Sequence, residues 1–236
     1  MTAINVTTYE VASVYCGGPG ITFPGVGPRV QWIDNKDNAI SPCEGYKKLL
    51  DASTAEIIIY IHDDVTIHDP EWLERVLAPF HDPQCVAVGL GGATGLGHPD
   101  LYKKSYNIWN MARSGYTSNQ TDAEVHGARF TGSRKVAVLD AFFLAVRADF
   151  VRSVGGWPVS HLTHHCLDLW LSCEAARAGK ETWLVGVKCT HHGGGTSTKP
   201  AYAEAKWLKG GSMQTDHTEP HRWLYDNYKD VLPIRV

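Results

Sequence analysis

No stretch of the 236-residue chain approaches the ~20 continuous apolar residues of a membrane-spanning helix, so no such span is expected. The N-terminus has no charged region followed by an apolar segment, which predicts no secretory signal and a cytoplasmic location. Basic charge is scarce: 22 Lys and Arg face 25 Asp and Glu, with no polybasic run. A general nucleic-acid binder normally carries a basic stripe, so that class is disfavoured. The six cysteines form no C-x-x-C pair and are expected to be reduced, mostly buried thiols. The glycine-rich loop that follows the first apolar run contains no G-x-G-x-x-G, which excludes the dinucleotide fingerprint. It also contains no Lys or Arg between Gly17 and Gly27, which argues against a nucleotidyltransferase. H-E-x-x-H is missing as well, so a zinc hydrolase built on the paired histidines ranks last. There is no internal repeat and no low-complexity segment.

The informative stretch is Glu56–Pro70. Ile57-Ile58-Ile59-Tyr60-Ile61 is a short, β-branched apolar run, as expected of a strand buried on both faces. It stops at His62-Asp63-Asp64. Adjacent carboxylates at the end of a buried strand are costly unless paired, and a divalent cation such as Mg²⁺ or Mn²⁺ is a suitable partner. The carboxyl ends of parallel strands are also where open α/β sheets bind ligands. A solvated turn that merely ends the strand is the plain alternative.

Around this stretch, strands alternate with helices. Val11–Cys16 reads as the first strand and Arg29–Ile33 as the second, ending at Asp34. That carboxylate is placed to accept hydrogen bonds from a ribose or base, or else to form an Asx turn. Ser41-Pro42 supplies an N-cap and first position for a helix to about Ser53. Asp69 and Pro70 do the same for a helix carrying Leu73, Val76, Leu77 and Phe80. Val86–Leu90 is another buried strand. Such alternation predicts an α/β fold with a Rossmann-like sheet. Gly95 to Arg134 is irregular, in the manner of a lid or binding region. Val136–Val146 is strongly apolar with Asp140 in its middle, either as a ligand contact or as a hydrogen-bonded core acid. Ala148–Val154 is a short helix, His164–Gly179 a longer one with Asp168 near its start, and Thr182–Cys189 a last strand. His191 and His192 follow, then Gly193-Gly194-Gly195. The polar, aromatic tail is expected to wrap onto the domain.

The order of these stretches resembles family-2-type glycosyltransferases of the GT-A fold, in particular short bacterial and phage-type members. Asn38-Ala39-Ile40-Ser41 with Gly45-Tyr46-Lys47 is similar to the helix after the family's nucleotide-binding Asp. Ile61-His62-Asp63-Asp64-Val65 is similar to its D-x-D metal motif. Asp140–Arg147 with Val154-Gly155-Gly156-Trp157 resembles the acceptor-side strand and helix. Asp168–Leu171, Ala178-Gly179-Lys180 and His191 with its glycines resemble the base helix and closing metal ligand. The resemblance covers roughly Val11 to Thr198. It departs from the family where Cys16-Gly17-Gly18-Pro19 replaces a P-x-Y-N-type loop, where His62 takes the first D-x-D position, and where Cys166 stands upstream of Asp168.

The resemblance implies one GT-A domain over 1–236: a mixed, mostly parallel sheet with a nucleotide half to about residue 95, an acceptor half to about 198, and a C-terminal wrap. It implies an inverting transfer from a nucleotide sugar, UDP-linked by expectation, to an acceptor hydroxyl on a glycan, a protein or a modified nucleobase. Asp168 is then the general base. Asp64, His191 and His192 are the expected ligands of Mn²⁺ or Mg²⁺, and Asp34, Asp63, Asp140 and Lys199 the expected nucleotide or donor contacts. A non-catalytic carbohydrate- or nucleotide-binding module of the same fold is the alternative. Trp157, Trp170 and Trp207 could each stack on a sugar, although most tryptophans are core.

Overall fold

A computed structural model describes residues 8–97, 115–118, 128–192, 205, 207–208 and 213–236. Most of the irregular Gly95–Arg134 stretch, Gly193–Gly195 and Lys199 lie outside them. No described helix is long and apolar enough to cross a membrane.

A seven-stranded sheet organises the chain, and the isoleucine run, β3 (Ile57–Ile61), is one of its interior strands. β1 (Tyr9–Tyr15) pairs with it in parallel, and β2 (Val30–Asp34) pairs in parallel with β1 at the edge. On the other side of β3 lies β12 (Phe143–Arg147), antiparallel, which also pairs antiparallel with β5 (Cys85–Gly89). β13 (Glu181–Val185) is parallel to β5, and β10 (Ser133–Val136) closes that edge antiparallel to β13. Taking the pairings together, five strands run one way and β12 and β10 the other, which is a mixed, mostly parallel sheet.

Every residue of β3 is fully buried, and its side chains alternate between two cores, as strand geometry requires. Ile58 and Tyr60 face one core, and Ile57, Ile59 and Ile61 the other. The first core is covered by α1 (Pro42–Ala52), α3 (Ala148–Ser153), α4 (Leu167–Arg177) and α5 (Met213–Tyr228). The second is covered by α2 (Trp72–Leu77) and its following 3-10 turn, Ala78–His81. α1 begins as its sequence dictates: the Ser41 hydroxyl accepts from the Glu44 N–H at 3.1 Å, and Pro42 occupies the first turn. It packs closely on β1, because a Cβ on Gly45 would stand 2.4 Å from a Val14 methyl.

Two expectations need correction, the single strand Thr182–Cys189 and the helix start at Pro70, and the apolar run Val136–Val146 is likewise shared between elements. It ends β10, forms β11 (Val138–Leu139) in a second, four-stranded sheet with β6 (Gly91–Ala93), β8 (Gly115–Ser118) and β9 (Ala128–Phe130), turns at Asp140, and only then enters β12, while β7 (Gly95–Leu96) pairs with β15 (Ile234–Arg235). A polar residue inside an apolar run marks this turn. Thr182–Cys189 likewise divides into β13 and β14 (Cys189–His191), and β14 pairs antiparallel with the short β4 (Val65–Ile67). α2 starts at Trp72 rather than at Pro70. Asp69 instead closes an Asx-type turn, its carboxylate accepting from the Glu71 N–H at 2.9 Å. Trp157 and Trp170 are each 2% exposed and belong to the core, as the majority behaviour of tryptophan predicts.

Candidate active site

A cavity of about 260 Å³ opens at the carboxyl ends of β1 and β3. Its two chemical walls are built differently. One wall is the turn from β3 into β4. The His62 N–H donates to the Phe142 carbonyl at 3.0 Å, which ties the end of β3 to the start of β12. The β4–β14 ladder sets His191 opposite Val65, and the His192 N–H donates to the Asp64 carbonyl at 3.0 Å. His191 is thereby held with its Nε2 at 3.3 Å from Asp64 Oδ1, and the Phe142 ring stacks on it at 4.8 Å between centroids. One ligand atom each from His62, Asp64 and His191 lie within 4.8 Å of one another.

The electrostatics of the trio follow from burial and proximity. Burial pushes the His62 imidazole below its ordinary pKa, which keeps it neutral and able to ligate. Burial also opposes the charges on Asp64 and His191, but each outweighs that penalty for the other: Asp64 stays below the usual carboxylate range and His191 is raised. Two imidazoles and a carboxylate make an N₂O donor set suited to a divalent first-row metal. The same cavity is also lined by Asp63, Asp140 and Asp168. The residues present therefore fit a metal.

The opposite wall is the β11–β12 turn and the start of α4. Asp140 is pinned through its own N–H, which donates to the Gly91 carbonyl at 2.9 Å. The next N–H, on Ala141, donates to Asp168 Oδ2 at 3.0 Å, while the Leu169 N–H in the first helical turn donates to Oδ1 at 2.8 Å. Burial raises the Asp168 carboxyl, the Asp140 carboxylate raises it further, and these N–H groups only partly offset the rise, leaving it at about 7. Cys166, the residue before α4, is held at φ 69, a left-handed conformation that non-glycine residues seldom adopt. It lines the cavity wall near Asp168, with His164 and His165.

The structure thus brings together Asp63, Asp64, Asp140, Asp168 and His191 around one cavity. It does not bring in Asp34 or His192. The Asp34 carboxylate is exposed at the end of β2, where it accepts from the Lys36 N–H at 3.3 Å and pairs with Lys36 Nζ at 3.7 Å. The His192 ring turns toward Thr66, its Nε2 at 3.3 Å from Oγ1, because neighbouring residues on an extended segment project to opposite sides. His62 was not among the expected ligands, yet it belongs to the cluster that could hold a metal ion. Its spacing from Asp64, two residues across a turn, was the available signal. Trp207 donates from Nε1 to the Asn38 carbonyl at 2.9 Å, docking the tail segment on the approach to α1.

The sheet order and a metal-suited turn at the end of β3 define a GT-A glycosyltransferase fold. More narrowly, the chain belongs to the glycosyltransferase-like family of family-2 type, whose model matches residues 27–219. By sequence, no curated protein matches. Among solved structures, the crystal structure of GalNAc-T7 with UDP, GalNAc and Mn²⁺ is similar at 9% identity and a TM-score of 0.50, over 80% of this chain and 44% of that one. The mannosyltransferase PcManGT from Pyrobaculum calidifontis, in complex with GDP-Man and Mn²⁺, aligns at 10% identity and a TM-score of 0.48, over 84% of this chain and 59% of that one. The chain therefore spans less than two thirds of the length of either, and at these identities the likeness is one of fold.

Proposed function

We propose that the chain is an inverting, metal-dependent glycosyltransferase that moves a sugar from a nucleotide sugar to an acceptor hydroxyl. The observation that carries this reading is the shared cavity. On one side the His62–Asp64–His191 trio is suited to a divalent cation, and on the other Asp168 is a carboxylate poised near neutral pH. A general base works best when its pKa lies near the working pH. A cation held by the trio would neutralise the leaving diphosphate as a Lewis acid.

Asp168 takes the acceptor's hydroxyl proton. The acceptor oxygen forms its bond to the anomeric carbon as the bond from that carbon to the diphosphate oxygen breaks. A single displacement of this kind inverts the anomeric centre. Asp140, fixed one residue before the N–H that holds Asp168, lies between base and metal trio and is placed to accept a hydroxyl of the donor sugar. Two imidazoles disfavour Mg²⁺, which prefers oxygen ligands, and make Mn²⁺ the better of the two expected ions. UDP-sugars are the first donors to try, since the GalNAc-T7 structure holds UDP with Mn²⁺.

The test is a panel of UDP-, GDP- and TDP-sugars with and without Mn²⁺, read as binding and slow hydrolysis. Metal-dependent turnover of one donor, lost in Asp64→Ala, is expected. Failure of a folded protein to bind any donor would sink the reading in favour of a non-catalytic module. Product stereochemistry by NMR decides inversion, and a retained anomeric configuration would contradict it.

A further inference from the structure

Asp63 and Asp64 are adjacent carboxylates, yet their surroundings differ. Asp64 faces His191. Asp63, only 6% exposed, faces the glycine-rich loop that follows β1. Its Oδ2 accepts from the Cys16 N–H and from the Gly18 N–H, both at 2.8 Å, and its main-chain carbonyl accepts from the Gly20 N–H at 2.8 Å. The contact continues as a short ladder: Thr22 donates to the Val65 carbonyl at 3.2 Å and accepts from the Ile67 N–H at 2.9 Å. Three N–H groups of one loop thus converge on one residue, and a carboxylate receiving backbone N–H bonds forms stronger bonds than a neutral acceptor.

From this convergence we propose that Asp63 is a positioning residue that straps the β1 loop to the metal turn, and is not itself a ligand of metal or ribose. The inference rests on the donor-binding reading above. Gly18 supplies an independent observation. A Cβ there would stand 2.7 Å from the Asp63 carbonyl oxygen and 2.8 Å from its carboxyl carbon, so only glycine fits against the strap. Gly17 and Gly20 adopt φ 85 and φ 89, so the loop is built from residues with wide conformational freedom. Without an anchor, ordering such a loop around a donor would cost conformational entropy at the binding step. Asp63 orders it beforehand, next to Cys16, which lines the cavity. The strap also links two functions. The loop end bearing Cys16 and the turn bearing Asp64 become one rigid edge.

The experiment compares Asp63→Ala, Asp63→Asn and Gly18→Ala with Asp64→Ala, using three readouts on the whole chain. These are hydrogen exchange at the Cys16, Gly18 and Gly20 amides without ligand, Mn²⁺ affinity by EPR titration, and donor KM and kcat. A strap predicts that Asp63→Ala and Gly18→Ala both speed loop exchange by about tenfold or more and raise donor KM by a similar factor. Mn²⁺ affinity and kcat stay within about threefold, the change expected away from the ligands. Asp63→Asn, which keeps one acceptor oxygen, falls between wild type and Asp63→Ala. Asp64→Ala loses Mn²⁺ with loop exchange unchanged. The proposal is overturned if Asp63→Ala loses Mn²⁺ as Asp64→Ala does, or if loop exchange is unaltered in both Asp63→Ala and Gly18→Ala. Should wild type bind no nucleotide sugar, the transferase reading fails, while the exchange data still decide the strap.

Discussion

The two walls of the cavity place charged groups by different physical means. The proposed metal wall is built from backbone pairing: β3 ends, β4 and β14 pair, and the three candidate ligands emerge from segments fixed by main-chain bonds. The base wall is built from side chain to main chain: Asp168 is held by the N–H groups of Ala141 and Leu169, beside Asp140 and after a left-handed Cys166. A ladder tolerates the loss of one side chain and keeps its geometry. A carboxylate held by two N–H donors tunes its own basicity, because every group that positions it also shifts its pKa. The metal wall should therefore respond to mutation in affinity, and the base wall in rate and pH dependence.

The largest effect should come from the base. Asp168→Asn keeps the acceptor oxygen but removes the proton acceptor, so kcat should fall by about 10²–10⁴, with Mn²⁺ affinity unchanged in a direct titration. Next, Asp64→Ala should lower Mn²⁺-dependent donor turnover by about 10²–10³, and His62→Ala should lower Mn²⁺ affinity by at least tenfold, measured by EPR. If His62→Ala binds Mn²⁺ normally, the trio is not the metal site.

The pH dependence sharpens the contrast. A base titrating at about 7 predicts that kcat/KM rises as pH increases through neutrality and levels off above it. Asp140→Asn removes a like charge beside Asp168 and should move the midpoint of that rise to lower pH. Stability runs the other way. The folded pKa of Asp168 is raised above its ordinary 3.8, so folding holds a proton that the unfolded chain releases, and stability falls as pH rises from about 4 through about 7. Asp168→Asn, which does not titrate, should accordingly gain on wild type by about 2–3 kcal/mol between pH 5 and pH 8. Equal denaturant midpoints at both pH values would contradict the shift. The smallest effect is expected at His192→Ala, whose ring turns to Thr66: less than about threefold in Mn²⁺ affinity, where His191→Ala loses at least tenfold.

The same contrast explains what could be read from residues alone. The isoleucine run and its abrupt stop at His62-Asp63-Asp64 point to a buried strand and a charged turn, because long β-branched burial has few other outcomes. Ser41-Pro42 marks the start of α1 for an equally local reason. The base wall was less legible. A continuous apolar run such as Val136–Val146 carries no sign of which sheet each part joins, and only Asp140 betrays the turn. β4 and β14 have three residues each, too few to show a period, so the ladder that aligns His191 with Asp64 was invisible. In the sequence His62 reads as a missing aspartate, and only the fold shows its imidazole clustered with Asp64 and His191. The opposite environments of Asp63 and Asp64 depend on a loop more than forty residues earlier in the chain, as the Cys16 and Gly18 bonds show.

The most direct measurement is calorimetric titration of wild type and Asp64→Ala with UDP-sugars, with and without Mn²⁺. Sugar transfer through this cavity predicts saturable binding of at least one donor that requires Mn²⁺ in wild type and disappears in Asp64→Ala. Donor binding that is indifferent both to Mn²⁺ and to the loss of Asp64 would contradict it.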